Sequence, residues 1–116
     1  METNFNFKSQ ICTDKVQSER LLALGLKKET ADIEICCLDG EIRFLEEEDY
    51  QDTGITIPAW SLHRLLMMLD SDVQTDGRYI SLPNYGFVKN DNIYDNLCDA
   101  IELLIKEGYF NKEYLV

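Results

Sequence analysis

Ile33-Glu34-Ile35-Cys36-Cys37-Leu38-Asp39-Gly40-Glu41-Ile42-Arg43-Phe44 is the stretch that decides the fold. Ile33, Ile35 and Cys37 alternate with Glu34, Cys36 and Leu38, and Ile42 and Phe44 alternate with Glu41 and Arg43. A period of two sends successive side chains to opposite faces of a strand. Asp39-Gly40 between two such runs predicts a hairpin with a two-residue type I′ turn, which needs positive φ at both central positions. The interior set expected from this alternation is Ile33, Ile35, Cys37, Ile42 and Phe44.

Upstream, the pattern changes to a short helix. Asp14 is placed to cap it, and Gln17 three residues later completes a capping box. Val16, Leu21 and Leu24 are its expected core face, and Gly25 its left-handed stop. Downstream, Glu46 to Gly54 is polar, and Ile55 and Ile57 offer a brief extended segment before Pro58. A second helix begins between Pro58 and Ser61. Its Leu62, Leu65, Leu66 and Leu69 stand at i, i+3, i+4 and i+7, a core-facing stripe. With Ser61 as N-cap, Trp60 and Leu65 are positioned as a hydrophobic staple.

Asp76-Gly77 reads as a loop. Tyr79 to Leu82 and Phe87 to Lys89 read as strands joined through Pro83-Asn84-Tyr85-Gly86. Asp91 or Asn92 caps a last helix that runs to about Glu107. Tyr94, Leu97, Cys98, Ile101, Leu104 and Ile105 form its buried face, and Gly108 ends it. Tyr109, Phe110 and Tyr114 are expected to pack back on the domain. The order is α-β-β-α-β-β-α, an α+β fold with one antiparallel sheet made from two hairpins and helices on one face. Residues 1–14 are an N-terminal extension and 15–116 a single domain.

The chain has 116 residues and a formal net charge of −11. Residues 31–57 hold nine acidic groups and one basic group, so most of the excess sits in one segment. That balance argues against direct nucleic-acid binding, which needs clustered Lys and Arg on phosphates. The N-terminus has neither a basic n-region nor an apolar h-region. The longest apolar run, Leu65 to Leu69, is far short of the ~20 residues needed to span a bilayer. A cytoplasmic protein with no membrane partner is expected. Cys12, Cys36, Cys37 and Cys98 have no Cys-x-x-Cys spacing, and His63 is the only histidine, so reduced thiols and no metal site are expected.

Ser18-Glu19-Arg20-Leu21-Leu22-Ala23-Leu24-Gly25-Leu26 with Glu29-Thr30-Ala31-Asp32 resembles the opening of a group of small proteins of gut-bacterial prophages and other mobile elements. Ile57-Pro58-Ala59-Trp60-Ser61-Leu62 and Ala100-Ile101-Glu102-Leu103-Leu104-Ile105-Lys106-Glu107-Gly108-Tyr109 fit the same group. The resemblance covers most of residues 15–116. It implies an intracellular accessory protein of a mobile element, and brings no activity, cofactor or catalytic residue.

Glu46, Glu47, Glu48, Asp49 and Asp52 are the most conspicuous charge run. Their bland reading is a solvated connection whose charges discourage strand pairing at an edge. Their functional reading is a surface for a basic protein partner, in its sharpest form one that imitates a nucleic-acid backbone in the basic groove of a DNA-binding protein. Tyr85, in an expected turn, joins them as a candidate contact. Asp95, Asp99 and Glu102 share one helix face, but they span more than a single cation reaches comfortably. Asp70 to Gly77 fails the EF-hand pattern, with Thr75 where the glycine belongs and Ser81 where the glutamate belongs. Ser61 and His63, two apart on a helix, point in different directions and lack a nucleophile elbow.

The expected function is therefore a non-enzymatic acidic protein–protein interaction module with no catalytic residue and no cofactor. A DNA-mimic inhibitor of a host nucleic-acid-binding enzyme is the alternative. A homodimer through Leu22, Leu103 and Tyr114 stays open.

Overall fold

Asp14 starts the first helix as its sequence requires. In the computed structural model, α1 (Lys15–Leu24) has the Asp14 carboxylate accepting the Gln17 N–H at 2.8 Å, while the Asp14 N–H donates to Gln17 Oε1 at 3.0 Å. Gly25 ends it at φ +105°, a conformation that costs an L side chain about 1–2 kcal/mol. The structure describes residues 10–46, 48–69, 74–76, 79–82, 86–89 and 92–116, the three segments between 74 and 89 through their backbone. Glu47, Pro83, Asn84, Tyr85 and Asp91 lie outside the described residues.

The class is α+β, with three α-helices and antiparallel sheet among the described residues. β1 (Ile33–Cys36) lies between β2 (Ile42–Phe44) and β3 (Thr56–Ala59). α2 (Leu62–Met68) follows, capped by Ser61, whose hydroxyl accepts the Arg64 N–H at 3.1 Å. β4 (Gln74–Asp76), β5 (Tyr79–Leu82) and β6 (Gly86–Lys89) form a second antiparallel sheet with β5 in the middle. α3 (Ile93–Lys106) closes the order, its cap Asn92 accepting from the Tyr94 and Asp95 amides.

Two differences from the expected layout follow from pairing. Among the described residues each expected hairpin gains a third strand, and the strands lie in two sheets rather than one. Thr56–Ala59 fills the edge of β1 that β2 leaves open, and Gln74–Asp76, read as a loop, pairs with β5. The first hairpin also closes differently. The Cys36 N–H donates to Glu41 O and the Gly40 N–H to Cys36 O, both at 2.8 Å, so residues 37–40 form a four-residue loop. Only Gly40 takes positive φ, at +76°; Asp39 instead accepts the Glu41 N–H on its carboxylate at 2.9 Å. Cys37 and Leu38 consequently sit in an exposed loop, not in the interior.

The core lies between the helices. Leu21, Leu26, Trp60, Leu65, Leu97 and Ile101 are at most 1% exposed and belong to one cluster. Each aliphatic member contributes about 1.5–3 kcal/mol by leaving water. Trp60 and Leu65, the expected staple, are both in it. Leu62 and Leu66 of the expected stripe are exposed, because α2 turns Leu65 and Met68 inward. Val16 is exposed for a similar reason: α1 buries Gln17, Ser18 and Leu21.

Residues 10–14 are built into this unit. Thr13 donates its N–H to Trp60 O at 2.9 Å and accepts the Trp60 N–H on its hydroxyl at 3.0 Å. At the other end Phe110 is buried and meets Tyr114 edge to face at 5.9 Å, whereas Tyr109 is exposed. The Val116 N–H donates to Gly25 O and the Lys27 N–H to Tyr114 O, fastening the tail beside the end of α1.

Candidate functional site

Register assigns the faces of the first sheet. Ile33 pairs with Phe44 and Ala59, and Ile35 with Ile42 and Ile57. Residues directly opposite share a face. One face therefore carries two apolar rows, Phe44-Ile33-Ala59 and Ile42-Ile35-Ile57. Ile33 and Ala59 are sealed with Cys12 in a small cluster, with Ile35 packed against it. The cover stops short of β2, where Ile42 is 39% and Phe44 56% exposed. Ile55, which precedes β3, is also exposed. Ile42 and Phe44 thus depart from the interior expected of them: they share the buried residues' face but lie beyond its cover.

The hydrogen bonds also orient the backbone of β2. Cys36 donates to Glu41 O, and Leu45 donates to Asp32 O at 3.0 Å. In an antiparallel ladder hydrogen-bonded pairs alternate. Arg43 and Leu45 therefore turn their amides and carbonyls toward β1, as Glu41 does its carbonyl, and Ile42 and Phe44 turn theirs outward. Among the described residues no strand lies on that side, since β2 ends the sheet.

Acidic groups border this edge. Glu41, Glu46 and Glu48 are exposed. Arg43 bonds Glu34 through Nε at 2.6 Å and lies 4.0 Å from Glu48, so its charge is already engaged. Those contacts hold the guanidinium above its ordinary pKa, the Glu34 hydrogen bond foremost. Arg43, Phe44, Leu45, Glu46 and Glu48 line a groove of about 650 Å³. Glu46 adopts φ +54°, the left-handed region that non-glycine residues rarely occupy. Asp52 lies farther along, accepting the Gly54 N–H at 3.1 Å and lying 3.6 Å from Lys28. Asp49 is exposed. Of the candidate contacts, then, Glu46 and Glu48 adjoin the open edge, Asp52 is drawn toward Lys28, and Glu47 and Tyr85 lie outside the described residues.

The other constellations resolve into structural pairs. Ser61 gives its N–H to Asp32 Oδ1 at 2.9 Å and its hydroxyl to Oδ2 at 2.5 Å, while His63 is exposed. Arg20 reaches from α1 to Asp99 at 2.6 Å and Glu102 at 3.1 Å, and Gln17 donates to Asp95 at 2.7 Å. No group of acidic, histidine or cysteine side chains among the described residues is arranged to hold a metal ion. Burial pushes the Cys12 thiol up to about 11 and the Cys98 thiol up to about 12, with nearby Asp32 adding to the first. No helix among the described residues is long and apolar enough to cross a membrane.

No family model, curated protein or solved structure matches the chain.

Proposed function

We propose that the chain is a non-enzymatic protein–protein interaction module, an intracellular accessory protein of a phage or mobile element, whose first sheet docks a basic partner. One observation carries this reading. The apolar face left open at Ile42 and Phe44 coincides with the segment that holds most of the excess negative charge. Apolar area supplies affinity, and the surrounding carboxylates steer a positively charged surface toward it. Mimicry of DNA is less well supported, because it needs the acids of the last helix to extend the array. Arg20 and Gln17 engage three of them.

The test is affinity capture from a host lysate at low and high salt. Wild type is compared with Phe44→Ser and with a Glu46→Gln/Glu48→Gln/Asp49→Asn triple variant. The reading requires a partner retained at low salt, released at high salt and lost in both variants. A partner held equally by all three proteins, or none at all, contradicts it.

A further inference from the structure

The open edge of β2 specifies more than a patch. We propose that it takes up an extended, alternately apolar and basic segment of a partner protein as a fourth strand beside β2. This rests on the reading of the first sheet as a docking surface and says how the partner binds.

Three observations converge on strand addition. The amides and carbonyls of Ile42 and Phe44 point outward, with the spacing that an antiparallel or parallel neighbour requires. The side chains of the same two residues are the most exposed members of the two apolar rows, so an added strand would extend each row by one position. The groove lined by Arg43, Phe44, Leu45, Glu46 and Glu48 lies along this part of the chain. Backbone pairing gives affinity, and alternate side chains give selectivity.

Charge selects the occupant. Glu41 precedes β2, Glu46 and Glu48 follow it, and Arg43 is engaged by Glu34 and Glu48. A second copy of this chain would bring the same carboxylates to the same edge, and like charges across a strand pair are destabilising. A segment with Lys or Arg at alternate positions places them on the face of Glu34, Glu41 and Arg43, where Arg43 is already paired with Glu34 and the carboxylates outnumber it, while its other positions lie beside Ile42 and Phe44.

The probe is a synthetic peptide of alternating lysine and valine, titrated against the full chain by fluorescence anisotropy. Its control has the same sequence with every second backbone nitrogen methylated, which keeps charge and side chains but removes the donors of one edge. The proposal expects the parent peptide to bind at least roughly tenfold more tightly than the methylated one, since about two net hydrogen bonds are lost. It also expects Phe44→Lys, at an exposed position, to abolish the difference. Equal, salt-sensitive binding of both peptides overturns strand addition and leaves the acidic docking surface standing. Absence of binding by either peptide overturns it as well. So does a doubling of mass in sedimentation that Phe44→Lys removes, because the edge would then serve a second copy. Failure of the broader reading shows separately, as a lysate without a salt-sensitive partner.

Discussion

Phe44 stands directly opposite Ile33 on the β1–β2 ladder, yet Ile33 is fully buried and Phe44 is 56% exposed. The margin of the core therefore runs between two paired residues. Truncation on its two sides has unequal consequences. Ile33→Ala is expected to cost about 2–5 kcal/mol, the range for emptying a packed aliphatic site. Phe44→Ser is expected to stay within about 0.5 kcal/mol, as for most surface changes. Urea unfolding of the two variants checks this, and equal losses would contradict it.

Gly25 is a second point of leverage. A Cβ there meets no atom within 4 Å, so the cost of Gly25→Ala is the backbone strain at φ +105° alone. About 1–2 kcal/mol of destabilisation is expected, read as a lower urea midpoint with an unchanged slope.

Asp32 links the start of β1 to the cap of α2. Asp32→Ala leaves the Ser61 N–H and hydroxyl without their acceptor. A loss of about 1–3 kcal/mol is expected by chemical denaturation, the range for a polar group deprived of its partner on folding. Ser61→Ala in the Asp32→Ala background should add less than it does alone, because the two side chains act as one unit.

The thiols separate by burial. Cys12 and Cys98 are buried, Cys36 is half-buried and Cys37 exposed. At pH 8 a thiol raised to about 11 is ionised in only about one molecule in a thousand. Cys37 should react first with a disulfide reagent, Cys36 more slowly, and Cys12 and Cys98 only on unfolding. The pH dependence has a fixed sign. Because the folded values lie above the ordinary value of 9.0, the contribution of these neutral thiols is complete below it. It is lost progressively as pH rises from 9.0, where the unfolded thiols ionise, and the loss is complete once the folded values of about 11 and about 12 are passed, so the urea midpoint should fall between those limits. Replacing both residues with alanine would remove that part of the dependence.

Local chemistry was legible in the sequence and long-range cover was not. Asp14, Gln17, Gly25 and Ser61 cap as read, and of Asp91 and Asn92, both offered for α3, Asn92 is the cap, because a cap involves residues within a few positions of one another. The α3 stripe is legible because one helix has one apolar face. The hairpin kept its face pattern although its loop has four residues rather than two. Its register slips by two, and only an odd slip exchanges faces. Gln74-Thr75-Asp76 has no apolar alternation to announce β4; its strand character comes from pairing with β5. Alternation likewise says that Ile42 and Phe44 share a face with Ile33, but not where the cover over that face ends. The acidic run is legible as charge beside the candidate site, while the open edge became visible only with the order β2-β1-β3.

Amide hydrogen exchange with the alternating lysine–valine peptide bound tests the central claim most directly. An added strand occupies the outward donors of β2, so the account predicts strong slowing at the amides of Ile42 and Phe44. The Arg43 amide, which already points toward β1, should change little by comparison. Unchanged exchange at Ile42 and Phe44 in the presence of saturating peptide, or protection centred elsewhere on the domain, would contradict it.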